Sequence, residues 1–234
     1  MSQGDYASVS PGTVHSYQFL SPHTEIVGII VERAFEPFFH KIGDHYEGHL
    51  WPDIDDRDPH AILPQRVKEA AEEFDVIPVR GYKAAEAKPW SDKTDAQPRP
   101  GPYFLQNGRG PSAVLGVTVV RPLITGAESD NKFTLGTIEG SSAYKTQILK
   151  GGFKFSTVNH ALHVSDGYIR ATVDGDTERV GPGELLWLPA GSLFSIEVDS
   201  RYFKAYNLQA SFNTTRWKAA HFRAGCSDTF RTRS

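Results

Sequence analysis

Residues 180–198, VGPGELLWLPAGSLFSIEV, give the strongest indication of the fold class. It contains a Gly-Pro-Gly turn, a short apolar strand, a Pro-Ala-Gly corner and a second strand. The stretch before it, VSDGYIRATVDG at residues 164–175, places strand-forming residues between two Asp-Gly pairs, which tolerate the positive φ of tight hairpin turns. Short strands separated by such turns predict a mainly β domain, either a sandwich or a barrel.

The spacing of the turn residues is also specific. Gly183 is followed after five residues by Pro189, Ala190 and Gly191, which resembles the second sequence motif of cupin barrels. That motif continues with two residues and then a metal-binding histidine, and Phe194 stands at the histidine position here. The resemblance implies a cupin jelly-roll barrel in the C-terminal half of the chain.

The first cupin motif shows a similar replacement. It normally reads His, any residue, His, four residues and Glu, ahead of a strand that ends in an acidic-Gly turn. Counting back from Asp166-Gly167 places Phe153 and Phe155 at the two histidine positions and His160 at the glutamate position. Phenyl rings cannot donate an electron pair to iron, copper, nickel or zinc. We therefore expect no metal in this barrel, and iron, copper or another divalent metal only if the missing ligands are supplied from elsewhere.

The chain as a whole resembles the fungal quercetin 2,3-dioxygenase family. The residues that carry the resemblance are four stretches, at residues 4–31, 35–43, 102–112 and 160–208. The family implies two jelly-roll barrels joined by a helical linker, with the catalytic metal in the N-terminal barrel and a C-terminal barrel that has commonly lost its ligands. Phe153, Phe155 and Phe194 match that metal-free half.

The N-terminal end departs from the family pattern. Gly4, Pro11-Gly12 and His15 resemble the second cupin motif with its proline displaced by one position, so His15 is the one metal-ligand position that survives. The other three ligands should precede this motif, but the sequence begins at Met1. The segment supplies about three strands, including the β-branched run IVGIIV at residues 26–31, which is too few to close a barrel. The open edge of these strands must be covered by the helical segment, by the C-terminal tail or by a second subunit, and we therefore expect a homodimer. The alternative is that the natural protein is longer.

These patterns predict four parts: residues 1–32, a remnant of the N-terminal cupin; residues 33–100, a helical and irregular linker; residues 101–215, the C-terminal barrel; and residues 216–234, a basic tail. In the linker, AFEPFFHKIGDHY predicts a short amphipathic helix. LPQRVKEAAEEFDV predicts a second helix with Pro64 near its first turn and an apolar face that contains Val67, Ala70 and Phe74.

Composition narrows the function classes. The 234 residues carry a formal charge of −3, which gives no long-range attraction to nucleic acid. No apolar run is long enough to span a membrane, no apolar core of signal-peptide length follows Met1, and Cys226 is the single cysteine. A cytoplasmic protein without nucleic-acid or membrane partners is the resulting expectation.

The candidate site residues follow from the motif positions. We expect His160, and less strongly His15, to act as acid or base, and Phe153, Phe155, Leu162, Phe194 and Tyr17 to line a substrate pocket. A neutral core histidine is the alternative interpretation of His160.

A pocket lined by phenylalanine fits an aromatic or polyketide-derived small molecule, and the resemblance adds an association with oxidoreductases of secondary metabolism. The favoured function is a tailoring enzyme that acts without a metal in this barrel, as a cyclase or isomerase. The alternatives are a metal-dependent dioxygenase that cleaves flavonol-type rings and a non-catalytic cupin that binds a small molecule.

Overall fold

A computed structural model of the chain describes residues 1–21, 24–30, 36–48, 56–83, 85–86, 88 and 97–211. Within these ranges, one compact unit combines residues 1–15 with residues 88 and 97–211, and a second unit contains the described residues from 16 to 86. The boundaries at residues 32, 100 and 215 stay predictions. The predicted basic tail, including Cys226, lies outside the described residues.

The first unit is built almost entirely from short antiparallel strands. They are β1 Tyr6–Ser8, β2 Tyr103–Leu105, β3 Ala113–Leu115, β4 Thr118–Ile124, β5 Phe133–Gly140, β6 Phe153–Lys154, β7 Asn159–Asp166, β8 Ile169–Val173, β9 Asp176–Val180, β10 Leu185–Leu188, β11 Leu193–Val198 and β12 Phe203–Ala210. One sheet has the order β10-β7-β12-β5-β4-β3 and another the order β6-β11-β8-β9, while β1 and β2 form a separate pair. A 3-10 helix, Ile148–Gly151, precedes β6. The predicted mainly β jelly-roll fold is confirmed.

The two larger sheets share one hydrophobic core. Along β7, side chains alternate between the two faces of the sheet, and Leu162 and Val164 point into this core. Ile196 and Val198 of β11 and Ala205 of β12 complete its centre, and all are buried. Because His160 lies two residues before Leu162, it shares the inward face of β7.

The Asp-Gly pairs have two different roles. Asp174 and Gly175 have φ of 50° and 101° and form a two-residue loop between Val173 and Asp176, which is the predicted hairpin. The other pair does not make a hairpin, because β7 and β8 belong to different sheets. There, Gly167, with φ of 69°, lets the chain cross from one sheet to the other.

The outer face of the six-stranded sheet carries a second core beneath β1 and β2. Tyr103, Leu105, Leu123, Leu135 and Leu208 are buried together, and the Tyr103 hydroxyl donates a hydrogen bond of 2.5 Å to the Leu123 carbonyl oxygen. This core packs β1 and β2 on the outer face of the six-stranded sheet.

The second unit contains two helices, α1 Glu36–Ile42 and α2 Pro59–Phe74. The predicted apolar face of α2 is present, since Ala70 is fully buried and the Phe74 ring lies 5.7 Å from the Phe38 ring of α1. The helix begins at Pro59, earlier than the predicted stretch, so Pro64 lies inside the helix and not near its first turn. A proline there cannot donate a backbone hydrogen bond to the carbonyl four residues before it. No helix in the described ranges is long and apolar enough to cross a bilayer.

The predicted buried strand in the run IVGIIV is wrong over its described part. Residues 24–30 form no strand, and Ile26, Val27 and Ile30 are exposed. Of about three strands expected before residue 32, the described residues contain only β1. A β-branched run favours extended backbone, but a strand also needs a neighbour that satisfies its backbone hydrogen bonds. Within the described ranges, no strand pairs with residues 24–30.

Candidate functional site

The Pro-Ala-Gly corner positions the candidate site. Gly191 donates its backbone N–H to the Phe155 carbonyl oxygen at 2.8 Å, and Ala190 donates to Oδ1 of Asn159 at 2.9 Å. Asn159 in turn donates to the Ala210 carbonyl oxygen, which fixes the start of β7 against β12. One corner therefore holds Phe155 and the residue before His160.

The side chains at the four cupin ligand positions come together. Phe153 is the direct cross-strand partner of Phe194, with ring centroids 6.2 Å apart. The Phe155 ring stacks on Phe194 at 6.0 Å, and the His160 imidazole lies 4.6 Å from Phe155 and 5.9 Å from Phe194. These four residues form a phenylalanine–histidine cluster, in which β7 of one sheet meets β6 and β11 of the other. The resemblance to the two cupin motifs implied that these positions lie together.

The cluster has a buried side and an exposed side. His160 is 5% exposed and Phe194 is 6% exposed, whereas Phe155 is 41% exposed. Phe155 therefore forms the rim, and a molecule from solvent would meet it first. Leu162 is 2% exposed and belongs to the hydrophobic core on the same face of β7 as His160.

The imidazole of His160 is held in its neutral form. Burial lowers the pKa of His160 from its ordinary value of 6.5, and the neighbouring Asn207 side chain opposes this shift. The Nε2 atom is buried and meets no partner with hydrogen-bond geometry. A buried polar atom without a partner costs about 1–3 kcal/mol of stability, so packing alone does not explain a histidine at this position.

A pH profile tests the electrostatics of His160. Its pKa is lower in the folded state than in the unfolded state, so the unfolded chain binds more protons and stability falls as the pH drops below about 6.5. Urea denaturation of the wild type and of His160→Phe should therefore diverge between about pH 7 and pH 5, with the shallower loss in the variant. Because every other titrating group is common to both proteins, parallel profiles would contradict this assignment.

The side chains of the cluster do not fit a cupin metal. Three of the four ligand positions hold phenyl rings, and one imidazole supplies a single donor. Among the described residues, no group of three or more His, Cys, Asp or Glu is arranged to hold a metal ion.

His15 does not join the cluster. It is exposed, and its Nδ1 lies 2.8 Å from the Thr13 carbonyl oxygen. Tyr17, which was expected to line the pocket, belongs to the second unit and is 73% exposed. Residues 9–20, which contain both side chains, form no strand. Alternation can place side chains on one face only where the backbone is extended and paired.

Sequence reasoning missed Asn207, which is 7% exposed and lies on β12 opposite Leu162. Its Oδ1 atom is buried and, like Nε2 of His160, meets no partner with hydrogen-bond geometry. No local motif marks this asparagine, because its position depends on how β12 pairs with β7.

A small cavity lies elsewhere in the first unit, and its lining includes Gln147, Leu149, Ile196 and Val198. Its volume of about 10 Å³ suits no more than one water molecule. None of its lining residues belongs to the phenylalanine–histidine cluster.

Two curated proteins show similarity along most of the chain. Quercetin 2,3-dioxygenase of Bacillus subtilis (strain 168) is 26% identical over 204 residues, which cover 86% of this chain and 58% of that protein. Quercetin 2,3-dioxygenase of Aspergillus japonicus is 26% identical over 229 residues, covering 87% of this chain and 63% of that protein. The chain thus spans about three fifths of the length of these relatives.

Solved structures give more distant similarities, and no protein-family model matches the chain. The cupin domain of Schizosaccharomyces pombe Cnp3 is 16% identical with a TM-score of 0.37, covering 44% of this chain and 70% of that chain. The polyketide cyclase RemF of Streptomyces resistomycificus is 21% identical with a TM-score of 0.35, covering 44% of this chain and 74% of that chain. By its sequence similarity and its jelly-roll fold, this chain resembles the quercetinase-type cupin proteins.

Proposed function

We propose that this cupin binds a planar aromatic or polyketide-derived small molecule at the phenylalanine–histidine cluster and promotes proton transfer on it through His160. The observation that carries the proposal is the buried imidazole, whose Nε2 meets no partner with hydrogen-bond geometry and whose ring neighbours are Phe155 and Phe194. A reaction of this kind is an enolisation, an isomerisation or an aromatisation, as in the tailoring steps of secondary metabolism.

The cluster suits such a ligand because aromatic rings stack on one another with centroids about 4.5–7 Å apart. Phe155 stands at the rim, where it can turn aside and then cover a bound ring. A cluster with no charged side chain among its four members also favours a neutral ligand, since a charge would lose its hydration without gaining a counter-ion.

His160 supplies the polar chemistry. A neutral imidazole that carries its proton on Nε2 can donate a hydrogen bond to a ligand oxygen, and this donation stabilises the negative charge that develops when a carbonyl compound enolises. The α C–H bond breaks and its proton passes to a water molecule, while Nε2–H of His160 gives its proton to the carbonyl oxygen and is reprotonated by the hydronium ion so formed, so that ketone and enol have the same composition. No oxidant or reductant is consumed.

Deuterium exchange tests this function. With α-tetralone as a bicyclic aromatic ketone in D2O, the wild type should accelerate exchange of the α-hydrogens by about 100-fold or more over buffer, measured by proton NMR. His160→Phe should remove the acceleration while it preserves the aromatic packing. His163→Gln is the matched control, because His163 is on the same strand but on the opposite face, and it should retain the acceleration.

The outcomes separate the alternatives. Exchange that survives in His160→Phe would overturn the role of His160, and binding without exchange would leave a non-catalytic binding cupin. Both relatives are named quercetin 2,3-dioxygenases, so the second candidate function is a dioxygenase that acts on a flavonol-type ring. Exchange that disappears after treatment with EDTA, in a protein that contained a stoichiometric transition metal, would support a metal-dependent reaction instead.

A further inference from the structure

We infer that Asn207 and His160 together recognise a hydroxyl group of the bound molecule, so that the cluster selects neutral phenols and enols over ethers and carboxylates. This inference rests on the proposed function, because it concerns the ligand of the same site. It begins from two buried polar atoms, Nε2 of His160 and Oδ1 of Asn207, which meet no partner with hydrogen-bond geometry, although the Asn207 side chain lies close enough to the imidazole to oppose the lowering of its pKa.

The two side chains face the same space. In the pairing of β12 with β7, Asn207 is opposite Leu162 and Gln209 is opposite His160. Side chains directly opposite one another lie on the same face of a sheet, so Asn207 shares the inward face with Leu162 and His160. As a diagonal neighbour across two strands, Asn207 is within reach of the imidazole.

The two atoms have complementary requirements. An amide oxygen only accepts hydrogen bonds, so Oδ1 of Asn207 needs a donor. With the ring proton on Nε2, His160 needs an acceptor. One hydroxyl group meets both requirements, because its hydrogen can be donated to Oδ1 while its oxygen accepts from Nε2–H.

Other oxygen-containing groups satisfy only half of this pair. An ether or a carbonyl oxygen accepts from Nε2–H but leaves Oδ1 without a donor. A carboxylate also lacks the donor, and its charge would be buried among phenyl rings. The pair should therefore favour the enol of a carbonyl compound, or a phenol, over the ketone from which it forms.

Three naphthalenes test this selectivity by isothermal titration calorimetry on the full chain. The wild type should bind 1-naphthol about tenfold more tightly than 1-methoxynaphthalene, which lacks the hydroxyl hydrogen, and should bind 1-naphthoate more weakly than either. In Asn207→Leu, which is similar in size but apolar, the preference for 1-naphthol should fall to about twofold or less, while 1-methoxynaphthalene still binds.

The matched control is Thr137→Val. Thr137 is also buried, and its hydroxyl also lacks a partner, but it pairs with Tyr206 on the opposite face of the sheet. This variant should keep the full preference for 1-naphthol. A preference that persists in Asn207→Leu would overturn the inference, as would a wild type that binds 1-naphthol and 1-methoxynaphthalene equally.

A second variant covers the case in which Asn207→Leu does not fold. Asn207→Asp keeps the shape and the acceptor, so the preference for 1-naphthol should remain. The new carboxylate should raise the pKa of His160, measured by NMR titration of the imidazole, which a residue that only supports the fold would not change. An unchanged pKa would show that Asn207 does not face His160 and would overturn the inference.

A wild type that binds none of the three naphthalenes would instead overturn the proposed function.

Discussion

Gly167→Ala is expected to lower the free energy of unfolding of the barrel by about 3 kcal/mol or more, enough to leave much of the protein unfolded at 37 °C. Gly167 has φ of 69°, a conformation that costs an alanine about 1–2 kcal/mol. An added Cβ would also lie 3.1 Å from the Cα of Phe203 and well inside contact distance of the Tyr202 carbonyl oxygen. These neighbours are backbone atoms of a crossing between sheets, so they cannot turn aside.

Gly175→Ala is the matched control for this prediction. Gly175 also follows an aspartate and has φ of 101°, but a Cβ there meets no atom within 4 Å. This variant should lose about 1–2 kcal/mol, which is the backbone cost alone. Urea denaturation followed by circular dichroism measures both variants. Equal losses would show that the crossing at Gly167 is not tightly packed.

Phe194→Ala is expected to lower the free energy of unfolding by about 3–5 kcal/mol and to abolish binding of 1-naphthol. The Phe194 ring is buried in the main core and contacts the rings of Phe153, Phe155 and His160. Its removal would leave a cavity that the two facing sheets cannot close, because both are held by their own backbone pairing.

Leu193→Ala tests whether this loss is specific to the inward position. Leu193 is the preceding residue on the same strand, points to the other face and is 56% exposed. It should cost less than about 1 kcal/mol and leave 1-naphthol binding unchanged. Chemical denaturation measures the free energy of unfolding of both variants, and calorimetry measures their binding of 1-naphthol. A loss below about 1 kcal/mol in Phe194→Ala would mean that the ring is not part of the core.

Much of the barrel could be predicted because its signals are local. Asp174-Gly175 produces a two-residue hairpin by its own backbone preferences. The spacing from Gly183 to Phe194, with that from Phe153 to His160, identified residues whose rings are in fact within 6.2 Å of a neighbour in the cluster. Such spacings predict which side chains come together, because each turn fixes the direction of the strand that follows it.

The failures came where the outcome depends on a distant partner. The run IVGIIV has the composition of a buried strand, but within the described residues nothing pairs with it, and Tyr17 is exposed for the same reason. Asp166-Gly167 looks like a second hairpin in sequence but joins two sheets. Whether an Asp-Gly pair turns or crosses depends on the sheet that its neighbours join, which local residues do not specify.

The sequence was enough to identify a resemblance to a cupin barrel, with phenyl rings at three of the ligand positions and His160 at the fourth. These features depend on residue identity and on spacing along neighbouring strands. That Asn207 shares the interior with His160 follows instead from the pairing of strands in the folded protein. The pairing of β12 with β7 shifts at an irregularity between Lys204 and Ala205, and a shift of one residue exchanges the two faces of a strand. Register is a property of two strands far apart in sequence, so only their packing could place the asparagine beside the histidine.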